Sequence, residues 1–516
     1  MKSIKIFAIS LVVLFGLSGC AASWLDQEMT GSALTQEEYN KMNDAELGSV
    51  RGLYGFLYSY GGAHDYFGQK SIDIATDLMS SDLAMPSRGY GWFETDAQLI
   101  ASNREYYLWV YYYDIVMNTN AVLRSLDAKG SLTDEEKDAY AQALTMRAYC
   151  YYGIANNFTP SAGDLETRSV YAYRGTGADY DLAPIYRQSY VNDKGLPVEQ
   201  PLSTHKQVRE FVRKDLLDAI ELFNQSNMPR QSKLYANVDV ARALLAYNYL
   251  QMAWLMSDED EYNTQRCYEE AYKVAMDVIG SNNYQMLNRN EVLTTGFVDV
   301  NSKSWMWGLD VTAENSTGLA SFWGHMDTHT YSYAYAGGYK CCDEILYNKI
   351  DTNDIRKQWF NADNKYVQDW KFYDLNRGVT ADEIDRDWKN DVVYLRIEEM
   401  YLVAAEAAYR AGDNGEARRV LSELMYERYK DKAVVDNLLS NDANLLDQIY
   451  LNWRVEMFGE GRALMTWKRF SADGYTSKNR GSNHFYNAGK EVKATDINIL
   501  YRMPSTEAVY NNEIPS

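Results

Sequence analysis

Cysteine is scarce, with 5 in a chain of 516 residues. Cys20 stands directly behind an apolar run, and the other four, Cys150, Cys267, Cys341 and Cys342, lack the spacing of zinc ligands. A chain this long needs no disulfide framework. The adjacent pair Cys341 and Cys342 could close only a strained ring, so free thiols or an unusual turn are expected there. Positive charge is also short: 51 Lys and Arg against 72 Asp and Glu leave a net charge of −21. That balance argues against DNA, RNA or polyanions as partners and favours neutral ones, although a local basic patch can survive in such a field. The apolar run from Ile6 to Leu17 is too short to cross a bilayer. Serine-hydrolase motifs and phosphate loops are missing, Gly175-Thr176-Gly177 being far too little for the latter.

Metal-binding patterns fail on inspection. His325 and His329 have the separation of a helical zinc pair, but Met326 follows where a metalloprotease carries glutamate. Gly324 and the tyrosine alternation that follows also disfavour a helix there. Asp385 and Asp387 begin like a calcium loop, yet Lys389 takes the next ligand position and no matching glycine follows. No metal and no cofactor is expected.

What the chain has in excess is tyrosine: 44 Tyr, with 12 Trp and 15 Phe, make 14% of the residues aromatic. A tyrosine offers a flat apolar ring and a hydroxyl together, which suits a wet recognition surface and a half-buried helix position equally. Helical periodicity is the second plentiful signal. In Val393–Leu424, Ile397, Tyr401, Ala404 and Ala408 recur at helical spacing, and Ala417, Val420, Leu421 and Leu424 do so again. Between them Gly412 can close one helix in the left-handed region, and Asp413 can cap the next with Glu416 three residues on. The spacing of Gly412, Ala417 and Leu421 resembles that of a tetratricopeptide repeat, a unit that cannot bury its apolar face without neighbours. Neighbours are present: helices are predicted at Gln36–Tyr60, Glu105–Ser125, Asp134–Asn156, His205–Asn224, Val238–Met256, Thr264–Ile279, Glu416–Tyr429 and Leu446–Phe458. Short polar turns join them in antiparallel pairs, as a solenoid requires. The fold class is therefore mainly α: a helix-pair solenoid with long irregular, aromatic-rich insertions and a few short strands.

The amino terminus reads as a signal peptide, residues 1–19, with Lys2 and Lys5 ahead of the apolar run. Leu17-Ser18-Gly19-Cys20 resembles a bacterial lipobox, which makes Cys20 a lipidation site and residues 20–35 a tether. Residues 36–516 are expected to form a single domain. Its insertions fall at about 61–103, 158–201 and 283–390, and so many aromatics argue against disorder in them. Thr330 to Tyr335 alternates with period two and looks like a short strand with one aromatic face. Sugar rings turn C–H groups towards aromatic faces and hydroxyls towards amides and charged groups. For the glycan-binding role that the family resemblance described below implies, the candidate residues are Arg88, Tyr90, Trp92 and Phe93 in the first insertion, with Asp96 nearby. In the third they are Trp305, Trp307, Trp323, Tyr331, Tyr333 and Tyr335, with Asn315, His325 and Asp327. Each ring taken singly is better explained by packing against the helices; the cluster is the informative feature. Glu398, Glu399 and Glu406 lie on helix faces and suit solvated or ion-paired roles better than catalytic ones.

Five places in order resemble the SusD and RagB outer-membrane lipoproteins. They are Cys20 with Trp24-Leu25-Asp26; Met146 to Tyr152 with Phe158; Leu395-Arg396 through Ala405-Glu406-Ala407 to Gly412; Arg454, Glu456, Glu460-Gly461-Arg462 and Lys468-Arg469; and Met503-Pro504 with Glu507 and Asn511. Trp453 and Thr466 depart from the pattern, standing where the family often has Glu and Asp. The resemblance implies a non-catalytic, lipid-anchored protein at the outer membrane, facing the exterior. It would bind a glycan and hand it to a SusC-like TonB-dependent transporter, with no nucleic-acid partner; some members handle peptides instead. The competing reading is an exported helical-barrel glycoside hydrolase, which needs a facing carboxylate pair. A third is a scaffold whose aromatic loops contact only protein.

Overall fold

The computed structural model describes residues 45–164, 177–230, 232–329, 331–374 and 388–514. The signal peptide, Cys20, the tether, Asp385 and Asp387 lie outside these. The helices that form the scaffold are α1 (Ala45–Gly55), α2 (Gln69–Met79), α3 (Glu105–Asp127), α4 (Asp134–Asn157), α5 (His205–Ser226), α6 (Val238–Met252), α7 (Thr264–Gly280), α8 (Ile397–Arg410), α9 (Asn414–Arg428), α10 (Asp442–Glu456) and α11 (Ala463–Phe470). Their starts are written locally. Thr133 and Thr204 form capping boxes with Glu136 and Gln207 at the heads of α4 and α5. Asn237, Asn263 and Asp413 accept backbone N–H groups at the heads of α6, α7 and α9. Gly412, at φ +90°, makes the left-handed turn between α8 and α9.

Stacking runs beyond the antiparallel pairs. α4 packs on both α3 and α5, and α7 on both α6 and α8, so the helices form one continuous layer instead of separate hairpins. Small residues permit the closest approach: Ala404, Ala405, Ala408 and Ala417 are all buried. Two boundaries differ from the sequence reading. Val392–Arg396 is a strand, β8, which pairs antiparallel with β4 (Trp305–Leu309) before the chain turns into α8. The first insertion, expected to be irregular, contains α2, all eleven residues of which are buried. Its polar residues hid it. Lys70 pairs with Asp73 at 2.8 Å, and Asp77 accepts the backbone N–H groups of Gly461 and Ala463 at 3.0 and 3.1 Å, capping α11. Burial pushes the Asp77 carboxyl up to about 7.

A four-stranded antiparallel sheet joins the first and third insertions: β1 (Leu83–Ala84) pairs with β5 (Cys341–Cys342), β5 with β7 (Val367–Gln368), and β7 with β6 (Phe360–Asn361), while β2 (Asp181–Pro184) and β3 (Leu202–Thr204) pair with each other ahead of α5. Cys341 and Cys342 are thus free thiols in a strand and not in an unusual turn; successive side chains leave a strand on opposite faces. Residues Tyr331 to Tyr335 do not continue this sheet. They turn, and Ala334–Gly338 closes as a single wide helical turn. Against expectation, Phe322–Met326 forms a short helix.

The motif residues behind the family resemblance form a buried ion network. Glu456 accepts from Arg356, Arg396 and Arg428, and Glu460 accepts from Arg396 and Lys371. Glu398 pairs with Arg428, Glu399 with Arg462, and Glu406 with Arg410 and Arg469. All three glutamates are ion-paired, as the sequence suggested, but inside the protein. At the two departures, Arg469 lies over the ring of Trp453 at 5.5 Å, and Arg469 Nη1, Trp453 Nε1 and Thr466 Oγ1 are buried with no hydrogen-bond partner among the described residues. Burial by itself would raise the pKa of Glu460, but Arg396 and Lys371 outweigh it and bring it down to about 2. An unfolded glutamate titrates near ~4.3. A carboxyl with a depressed folded pKa contributes stability above its unfolded value and loses it as pH falls to the folded one. Thermal unfolding should therefore show a steep loss of stability between about pH 4.5 and 2. Glu460→Gln should start lower and depend less steeply on pH in that window.

Candidate functional site: an aromatic surface between two insertions

The β1–β5 pairing places the loop after Ala84 beside the loop before Cys341. Ser87 Oγ donates to the Gly337 carbonyl at 2.5 Å. Gly89, at φ +53°, lies so close that a Cβ there would sit 2.8 Å from Gly338 Cα. The two loops are thus held in backbone contact, and only glycine permits it.

His64, from the turn after α1, ties the rings of the two loops together. Its imidazole stacks on Trp92 with centroids 5.1 Å apart and planes 10° from parallel. Its Nδ1 lies 2.5 Å from the Tyr333 hydroxyl, and its carbonyl accepts from His325 Nε2 at 2.8 Å. A carbonyl can only accept, so His325 carries its proton on Nε2. Burial keeps His325 neutral, with a pKa well below the usual imidazole range. Tyr333 is the centre of the cluster, meeting Tyr90 at 5.4 Å, Trp92 at 5.9 Å and the His325 face at 5.2 Å. Burial raises the pKa of its hydroxyl, and the neighbouring hydroxyls of Tyr331, Tyr90 and Tyr60 add to the effect.

The outer rings face water. Tyr60 is 54% exposed, Tyr90 67%, Tyr331 43% and Tyr335 46%, while Trp92 and Tyr333 are half-buried with their edges packed below. Arg88 stands beside them, its side chain exposed and its Nε 2.9 Å from Glu94. Glu94 also accepts from the Tyr486 hydroxyl at 2.5 Å. That hydrogen bond, assisted by Arg88, holds the Glu94 carboxyl below its ordinary range. Beneath the surface Arg104 ties the turn after α1 to the first of these loops, reaching Asp65 at 2.9 Å and Asp96 at 2.7 Å while lying over the rings of Tyr66 and Phe93.

Of the candidate residues, the structure brings Arg88, Tyr90, Trp92, Tyr331, Tyr333 and Tyr335 to this side of the molecule and assigns the other four to the core. Phe93 is fully buried against Phe67 and His325. Trp305, Trp307 and Trp323 are at most 1% exposed. Their indole N–H groups are satisfied internally by the carbonyls of Gly296, Leu234 and Asp391. For Trp305 and Trp307 the reason is β4: paired to β8, it lies on the scaffold, where Tyr54, Tyr149 and Tyr394 surround Trp307, whereas Trp323 packs in the short helix against Phe322 and Phe372. Of the polar neighbours expected there, His325 and Asp327 are buried and Asn315 caps a turn at Thr312. Sequence reasoning missed Tyr60 and His64, which follow the end of a helix. It also missed Trp370, 47% exposed and 6.3 Å from His329. Their only local signal is aromatic residues in polar loops.

The helical scaffold thus displays an aromatic surface on its insertions. Two family models match in tandem: one described as "Starch-binding associating with outer membrane" over residues 56–250, and the SusD family over residues 252–512. The chain belongs to the SusD family. A SusD-like carbohydrate binding protein from Bacteroides vulgatus shares 20% identity, covering 91% of this chain and 96% of its own, with a TM-score of 0.73. A SusD superfamily protein from Bacteroides thetaiotaomicron shares 21% identity over 92% of this chain and 98% of its own, with a TM-score of 0.68. A putative sugar binding protein from Bacteroides vulgatus is 20% identical over 92% and 97%, with a TM-score of 0.65. These likenesses show the fold. No curated protein matches the chain. Family membership supports a glycan-binding role in association with the outer membrane.

Proposed function

We propose that this protein binds a glycan, without cleaving it, on the surface formed by Tyr60, His64, Arg88, Tyr90, Trp92, Tyr331 and Tyr333. The observation that carries the reading is the meeting of two loops, some 240 residues apart in sequence, to present several ring faces and hydroxyls at once to water. A sugar needs that combination: apolar faces for its C–H groups and polar edges for its hydroxyls. Tyr335 and Arg88 extend the rim. Glu94, held low by the Tyr486 hydrogen bond and Arg88, does not suit the part of a general acid, which needs a raised pKa. The protein, anchored through Cys20 and with residues 36–516 acting as one domain, delivers the glycan to a SusC-like TonB-dependent transporter at the cell exterior.

Offering the protein a panel of polysaccharides tests this. Retention without new reducing ends is expected; released sugar would favour a hydrolase, and neither result would leave a protein-binding scaffold. Gly89→Ala is expected to part the two loops, because the nearest atoms to its Cβ are backbone. It should weaken retention about tenfold with a fall in stability of only about 1–2 kcal/mol, read by affinity electrophoresis and thermal melting.

A further inference from the structure

Away from the aromatic surface, a groove of about 520 Å³ opens between α5 and the segment before it, and its walls carry four cationic side chains, Arg187, Lys206, Arg213 and Lys214, against one carboxylate, Glu210. In a chain of net charge −21 such a concentration runs against the average. On α5, Lys206 lies two turns from the adjacent pair Arg213 and Lys214, with Glu210 one turn from each. Three of them already touch a carboxylate: Lys206 meets Asp260, Arg213 meets Glu210 at 2.7 Å, and Lys214 meets Asp218 at 2.6 Å.

Arg187 differs. Among the described residues it makes no ion pair, and its guanidinium lies over the Phe211 ring at 4.5 Å. Arg187 and Lys214 also line a neighbouring cavity with Asp215, Asp218 and Glu221; Asp215 feels the Arg187 charge but is bound by Arg147, which holds both its oxygens at 2.7 and 2.9 Å. The residues on either side of Arg187 are tied down, Tyr186 through its backbone and Gln188 through its side-chain amide. Tyr186 N–H donates to the Tyr151 hydroxyl at 2.7 Å and its carbonyl accepts from Asn120 at 3.0 Å. Gln188 accepts from Arg147 at 2.7 Å and donates to Asp127 at 3.1 Å. A guanidinium stacked on a ring, flanked by residues that are tied down and making no ion pair among the described residues, is preorganised for an oxyanion, because its N–H edge remains to be used. The remaining walls suit a sugar: the half-exposed ring of Tyr190 and the polar side chains of Gln200, Ser203 and Gln207.

We infer that this groove is a second saccharide site, one that takes an acidic sugar unit and binds its carboxylate or sulfate through Arg187, with Lys214 alongside. Acidic glycans are repelled by the protein as a whole, but at physiological salt that field is screened within about 8 Å, leaving the local cluster to decide.

Calorimetry on the double variant Trp92→Ala/Tyr333→Ala, which lacks the first surface, isolates the groove. Trigalacturonate and a chondroitin sulfate tetrasaccharide are expected to bind, with affinity falling as salt rises, and maltotriose is not. Adding Arg187→Ala should weaken acidic binding about tenfold or more, and Arg187→Lys less, since a lysine keeps the charge without the fork. Lys214→Ala, at an exposed position, should weaken it severalfold and serves if Arg187→Ala disturbs folding. Several outcomes would overturn the inference. One is loss of acidic-sugar binding in the double variant itself. Others are indifference to both cation variants, and binding of inorganic sulfate or of phosphatidylglycerol vesicles without any saccharide.

Discussion

Glu456→Ala is expected to destabilise the protein by about 3–5 kcal/mol, enough to abolish the folded state of a marginal domain. The glutamate sits fully buried among three guanidiniums. Its carboxylate takes two hydrogen bonds from Arg428, both at 2.9 Å, one from Arg356 at 2.9 Å and one from Arg396 at 2.7 Å. Its removal leaves buried positive charge without its partner, and the cost of stranding a buried charge exceeds the net contribution of the pair. Burial alone would raise the Glu456 pKa, yet Arg428 and Arg396 hold it well below the ordinary range. Glu456→Gln keeps the shape and should fall between the alanine variant and the native chain in urea unfolding. Unchanged stability in the alanine variant would show that the network is held by packing and not by charge.

Trp92→Ala with Tyr333→Ala is the second large effect, and it falls on binding. Removing the two central rings should lower glycan affinity about thirtyfold, the loss of roughly 2 kcal/mol that a well-packed aromatic anchor contributes. Thermal stability should change little, because both residues remain partly in water. Trp307→Ala should do the reverse: the ring is 1% exposed, and a cavity of that size costs about 3–5 kcal/mol of stability. Affinity electrophoresis and melting temperature, measured on both variants, separate the surface from the core. If Trp307→Ala lost retention at unchanged stability, the assignment of the site would be wrong.

Much of the scaffold was legible in the chain. Thr133, Thr204, Asn237, Asn263 and Asp413 mark helix starts through contacts within three residues of themselves, and such contacts survive any rearrangement of the rest. The α8–α9 hairpin, with Gly412 between, belongs to the same class. α2 escaped because Lys70, Asp73 and Asp77 mimic a solvated face; their partners are one another and the backbone at Gly461 and Ala463, nearly 400 positions away. The strand read at Tyr331 to Tyr335 failed for a related reason. Period-two alternation there places Tyr333 against His64 and Trp92, not along a sheet.

Local pattern thus specifies the helices, their caps, the order of the pairs and the family signature, because each of these rests on neighbours along the chain. It also says that rings crowd the first and third insertions. Which rings meet water is settled elsewhere, by the pairing of Leu83 and Ala84 with Cys342 and Cys341 and by the seating of β4 on β8. Burial is a property of contacts between distant segments. Trp92 and Trp307 are chemically alike, and only the surfaces that fold against them make one a recognition residue and the other part of the core.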